Sequence, residues 1–112
     1  MNTDTRAIDG LIFVALISFA PPTGARDESE YDAFDSMDTA REWGERQLRE
    51  QVAECGSGWD FRVDVARVAR ADYDADTWAV ADDPVARATW DTATGAVVWQ
   101  NDGPFDFADY GM

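Results

Sequence analysis

The sequence predicts a single α+β domain over residues 1–112, with one amphipathic helix packed on a largely antiparallel sheet of four to five strands in the order β-α-β-β-β. Three observations predict it. A ten-residue apolar run, LIFVALISFA, lies near the start; one apolar stripe at helical spacing follows it; and the second half breaks into short β-branched and aromatic stretches divided by turn residues. With 112 residues, 46% of them apolar, and five Trp, six Phe and three Tyr, the chain fills one modest core and is no disordered acidic tail.

Leu11–Ala20 reads as a buried central strand, covered on both faces or lying on one well-buried face, and ended by PPTG. Its preceding segment, MNTDTRAIDG, has two Asp and one Arg, the wrong sign for a secretion signal, and a ten-residue run is too short to span a bilayer. A cytoplasmic protein is expected. ARDESEYDAFD then reads as a polar loop with Tyr31 and Phe34 as anchors.

A helix starts at Ser36, a good N-cap, with Asp38 in the electropositive first turn. Met37, Ala40, Gly44, Leu48, Val52 and Cys55 form its apolar stripe, with Trp43 on the flank. Arg41–Glu45, Glu42–Arg46, Glu45–Arg49 and Arg46–Glu50 are opposite-charge pairs four residues apart on the outer face, and Gly56 stops the helix. Cys55, the single cysteine, reads as a small buried residue, since no His stands anywhere to activate it.

Trp59–Arg70 alternates apolar and polar residues as a half-buried strand does, while its tail VARVAR fits strand or helix. TWAVA (Thr77–Ala81) is a short strand candidate. VARATWD and AVVWQ flank TATG as a hairpin with Gly95 in the left-handed position.

Charge carries the functional information. Nine Arg and no Lys or His against 17 Asp and 6 Glu give −14. That balance excludes direct binding to nucleic acid or to anionic membranes and calls for a basic or cationic complement. The charge is also segregated. Residues 27–38 carry six acids and no base, and residues 71–112 nine Asp and one Arg, whereas the remaining segments are nearly neutral.

DYDADTWAVADD (Asp72–Asp83) has Asp72, Asp74, Asp76 and Asp83 where an EF-hand calcium loop has ligands 1, 3, 5 and 12. Thr77 takes the place of the obligatory glycine, Val80 offers no ligand at position 9, and the flanks read as strands. The EF-hand fails; a looser Asp-rich cation site stays open. Alternatively, alternate residues of a strand project to one face about 6.6 Å apart, comparable with neighbouring phosphates. Asp72, Asp74 and Asp76, if extended, would form such a row, with Asp60 and Asp64 a weaker pair. Asp102, Asp106 and Asp109, interleaved with Phe105, Phe107 and Tyr110, add acid beside rings that stack on bases or Arg side chains.

The runs RDESEYDAFDSMD, DYDADTWAVADD and DGPFDFADYGM together resemble, as a class, the small acidic inhibitors encoded by phages and mobile elements, the anti-CRISPR and anti-restriction DNA mimics. The resemblance covers about a third of the chain. It implies a stoichiometric, non-catalytic inhibitor that occupies the DNA- or PAM-binding surface of a CRISPR effector or similar defence nuclease, in the host cytoplasm. The expected contacts are first Asp72, Asp74, Asp76, Asp82 and Asp83, then Asp102, Asp106 and Asp109, then Glu28, Glu30, Asp32 and Asp35. Immunity and antitoxin proteins, which bind a basic toxin, share these features, and an Asp-rich, Lys-free surface is also what adaptation to molar salt selects. No cofactor and no catalytic residue are expected: without His or Lys, no Ser or Cys triad can be assembled.

Overall fold

The computed structural model describes residues 10–22, 27–56, 58–80, 82–101 and 105. They form one five-stranded antiparallel sheet and one long helix, the α+β architecture expected. The elements are β1 (Leu11–Ala20), β2 (Asp27–Phe34), α1 (Met37–Cys55), β3 (Asp60–Ala69), the short α2 (Arg70–Asp74), β4 (Pro84–Asp91) and β5 (Ala96–Asn101). Across the sheet the order is β2-β1-β3-β4-β5.

The acid-rich segment expected as a loop is therefore a strand, β2, and the chain places two strands before the long helix. The reason lies in β1. Ile12 and Val14 to Ser18 are buried, so both rows of β1 backbone groups need partners that water cannot supply. One row pairs with β3, Leu11 to Ala20 against Ala69 to Asp60, and the other with β2, Phe13 to Phe19 against Phe34 to Asp27. As the edge, β2 keeps Asp27, Glu30 and Asp32 in water, which its composition demands.

Helix α1 forms as its sequence dictates. Ser36 Oγ accepts from the Thr39 amide at 3.2 Å, and Gly56 closes the helix at φ +82, its amide donating to Val52 O. Ala40, Trp43, Gly44 and Leu48 are buried against Ala15, Ile17, Phe61, Val63, Val65, Ala86 and Ala88. Gly44 permits the close approach: a Cβ there would stand 2.7 Å from Val63 Cγ1. At the far edge Arg41 donates to Asn101 and lies 4.8 Å over the Trp99 ring, while Arg49 meets Glu45 at 3.3 Å. Cys55, expected inside, is exposed, because the last turn of α1 runs past the edge of the core.

The other face of the sheet has its own smaller core. Ile12, Val14, Ala66 and Val68 are covered by Ala33, Tyr73, Trp78 and Val80, from β2 and from the segment after β3. That segment turns helical at Arg70, which resolves VARVAR as strand to Ala69 with a helix after it. TWAVA is not a strand: residues 77–80 run as irregular chain and turn. The β4–β5 hairpin matches expectation, with Gly95 at φ +67 and its amide on Asp91 O at 2.8 Å. With both faces covered, β3 is buried from Phe61 through Ala66, polar residues included.

Candidate functional site: an acidic surface around three rings

Strand β2 and helix α2 approach each other through aromatic side chains. Tyr31 of β2 stands edge-on to Trp78 at 5.2 Å and to Tyr73 of α2 at 6.3 Å, and Tyr73 and Trp78 are 5.9 Å apart. Such edge-to-face pairs add stability beyond the area they bury. Tyr73 and Trp78 pack on the smaller core, and Tyr31 beside them remains 45% exposed.

Carboxylates surround these rings. Burial pushes the Tyr73 hydroxyl above its ordinary value, and the nearby Tyr31, Asp32 and Asp74 push it further in the same direction. Asp32 and Asp74, from two separate acidic runs, thus act on one hydroxyl. Beside Trp78 a small cleft of about 70 Å³ is lined by Arg67, Asp72, Trp78 and Asp82 among others. Asp35 binds Arg70, at the start of α2, at 3.0 Å, and Asp83 binds Arg67 at 3.0 Å. Asp32 and Asp74 thus lie near the Tyr73 hydroxyl and Asp72 and Asp82 line the cleft beside Trp78, while Asp35 and Asp83 are paired with arginines.

The local backbone differs from the extended row expected of Asp72, Asp74 and Asp76. Asp72 and Asp74 lie on α2 and Asp76 follows at φ +61, so no phosphate-like row of strand-spaced charges exists there. The helix forms because the chain must turn back after β3 to lay Tyr73 and Trp78 on the sheet. Asp72 also fastens the turn, its backbone carbonyl accepting from the Thr77 amide at 2.9 Å and its Oδ1 from Thr77 Oγ1 at 3.3 Å. Asp76 holds the left-handed conformation that Asp tolerates better than most residues. Glu30 is exposed on β2, and Glu28 contributes its backbone to the same strand. Asp102, Asp106 and Asp109 lie outside the described residues, as do Phe107 and Tyr110. Phe105, expected as a free stacking ring, sits 5.2 Å over the chain's own Arg87.

Asp64 is a correction of another kind. It is not part of any surface pair with Asp60, being fully buried on the face of the sheet away from α1. Its Oδ2 meets Arg62 Nε at 3.2 Å, and its Oδ1 meets Arg87 Nε at 2.6 Å. Arg62 precedes it by two residues on the same strand, hence on the same face, and Arg87 is its cross-strand partner on β4. Two guanidiniums on one carboxylate satisfy a charge that would otherwise be costly to bury. The cluster is sealed and serves the fold.

Among the described residues, no group of three His, Cys, Asp or Glu side chains is placed to hold a metal ion, and no helix is long and apolar enough to cross a membrane. Sequence reasoning missed the three rings as a unit. The available signal was the pair of acidic runs, each carrying an aromatic residue between acids: Tyr31 in ESEYD and Tyr73 in ADYDAD. Comparison with known protein families, with curated proteins and with solved structures returned no match.

Proposed function

We propose that this chain is a stoichiometric, non-catalytic inhibitor that binds a basic nucleic-acid-binding protein, of the kind found in CRISPR effectors and other defence nucleases, through the surface around Tyr31, Tyr73 and Trp78. The observation that carries the reading is the convergence of two acidic runs, forty residues apart in sequence, on one aromatic patch. A chain of −14 accepts self-repulsion, and placing acids together increases that cost, so the clustering needs a complement elsewhere. A basic groove supplies it. Arginine fits best: its guanidinium stacks on an exposed ring such as Tyr31 while its fork reaches flanking carboxylates such as Asp32 and Asp74. The mimicry lies in clustered surface charge and not in strand-spaced phosphate positions.

The test is competition. A purified CRISPR effector or other basic defence nuclease is titrated with labelled target DNA, with and without the chain. Wild type should displace DNA, with an apparent affinity that falls steeply between about 0.05 and 0.2 M salt, as expected of binding driven by charge. Asp32→Lys, Asp74→Lys and Asp82→Lys together should abolish displacement while the melting temperature holds or rises. Displacement by that triple variant equal to wild type's would remove the acidic surface from the mechanism. These positions serve better than Asp72 and Asp76, which also hold the local turn.

A further inference from the structure

The two edges of the sheet differ in a way the acidic surface does not require. Edge β2 carries Asp27, Glu28, Glu30 and Asp32, and its register against β1 shifts by one residue between Ile17 and Ser18. Charge and irregularity of this sort are how proteins stop one sheet edge from pairing with another. Edge β5, AVVWQN, has neither. It contains no charged residue and no proline, and its register against β4 is regular over all six residues. Val98 is 48% exposed, and among the described residues no strand pairs with the outer side of β5. Nor does the chain beyond it line that side at Phe105, whose ring lies over Arg87, one strand inboard.

We infer that β5 is a self-association edge, on which two copies pair antiparallel about a twofold axis to make one continuous ten-stranded sheet. Charge selects the occupant. A chain of −14 repels its own kind at every acidic surface, so copies meet most readily along a strand that itself carries no charge, and β5 is such a strand. The arrangement also separates the two acidic β2 edges. Joining the sheets at β5 puts the two β2 edges outermost, nine strand spacings or about 43 Å apart. That is several times the Debye length of about 8 Å at physiological ionic strength. A twofold interface of this type closes on itself and stops at the dimer, because the other sheet edge among the described residues is the guarded one. The contact is short, so association is weak and depends on concentration.

Sedimentation equilibrium of the full chain over a wide concentration range tests the inference. The expected result is a monomer–dimer equilibrium that tightens as NaCl rises from 0.15 to about 0.5 M, because screening relieves like-charge repulsion. Salt should thus act in the sense opposite to its effect on a basic partner. Val98→Lys with Ala96→Lys, a protected edge, should weaken the dimer at least tenfold with the melting temperature of the dilute protein unchanged. As a readout needing no variant, amides of residues 96–101 in the wild type should exchange more slowly as concentration rises. A protein monomeric at all concentrations, a dimer indifferent to the two lysines, or concentration-dependent protection that spares β5 would each overturn the inference.

Discussion

Asp64 on β3 and Arg87 on β4 face each other directly across the strands, Oδ1 to Nε 2.6 Å, with the carboxylate wholly out of water and the guanidinium nearly so. Arg62 closes on the same carboxylate from its own strand. The polar heart of the molecule is thus one acid shared by two bases, in a chain where acids outnumber bases 23 to 9. Five of the nine arginines lie inside or at the seams of the fold: Arg62 and Arg87 on Asp64, Arg67 on Asp83, Arg70 on Asp35, Arg41 on Trp99 and Asn101.

Asp64→Asn should therefore destabilise the protein by about 3 kcal/mol, since removing one partner of a buried ion pair leaves charge without its counterpart. Urea unfolding at neutral pH reads the change. A loss under about 0.5 kcal/mol, the size expected of an ordinary surface substitution, would mean that the pair contributes nothing net.

Gly44→Ala sets two effects against each other. Alanine gains about 1 kcal/mol in helix propensity, but its methyl would meet the buried, β-branched Val63 at 2.7 Å. Overpacking of a tight core costs about 1–3 kcal/mol, so the clash wins and the variant should be less stable than wild type. Adding Val63→Ala should return part of the loss, which a double-mutant cycle measures.

The sheet and helix α1 were legible in the sequence because their signals are local: a continuous apolar run, a capped 3.6-residue stripe, a turn with Gly95. Strand β2 was not, since the alternation of Glu28, Glu30 and Asp32 with Ser29, Tyr31 and Ala33 is dominated by acids and lacks β-branched residues; it is a strand because β1 is buried and needs a second partner. Asp64 looked solvent-facing because alternation cannot tell a face covered by water from one covered by Phe105 and two arginines. Similarly, the concentration of aspartates over Asp72–Asp83 was legible, but not their curl into α2, which follows from seating Tyr73 and Trp78 on Ile12, Val14, Ala66 and Val68.

Tyr73 gives a pH signature. Its hydroxyl ionises above the usual tyrosine value near 10, first through burial and then through Tyr31, Asp32 and Asp74. The raised value means that the folded state holds the proton more tightly than the unfolded chain. The corresponding stability is fully present below about pH 10 and declines as pH rises through the folded pKa. NMR titration of labelled tyrosine should show Asp32→Asn and Asp74→Asn each moving Tyr73 back towards 10; no movement in either variant would place those carboxylates away from the ring.

Salt separates a binding surface from environmental adaptation. The protein should unfold cooperatively at about 0.1 M KCl, where the Debye length is roughly 10 Å, and gain only a few degrees by 1 M, where it is about 3 Å. A chain that folds only in molar salt would instead make its acidity a solubility device.

The pairing of β1 with β3 has a consequence in time. The hairpin β4–β5 closes over a four-residue turn and β1–β2 over a short one, but β1 meets β3 across forty to fifty-eight positions of chain, with α1 between them. Closing that span costs loop entropy before any contact repays it, which makes it the slow event of folding. Substitutions in β1 and β3 should therefore slow refolding, whereas those in β5 should chiefly speed unfolding, a contrast that chevron kinetics on Val14→Ala and Val98→Ala would show. On the ribosome, the most apolar strand of the molecule waits, half partnered, until β3 has been made.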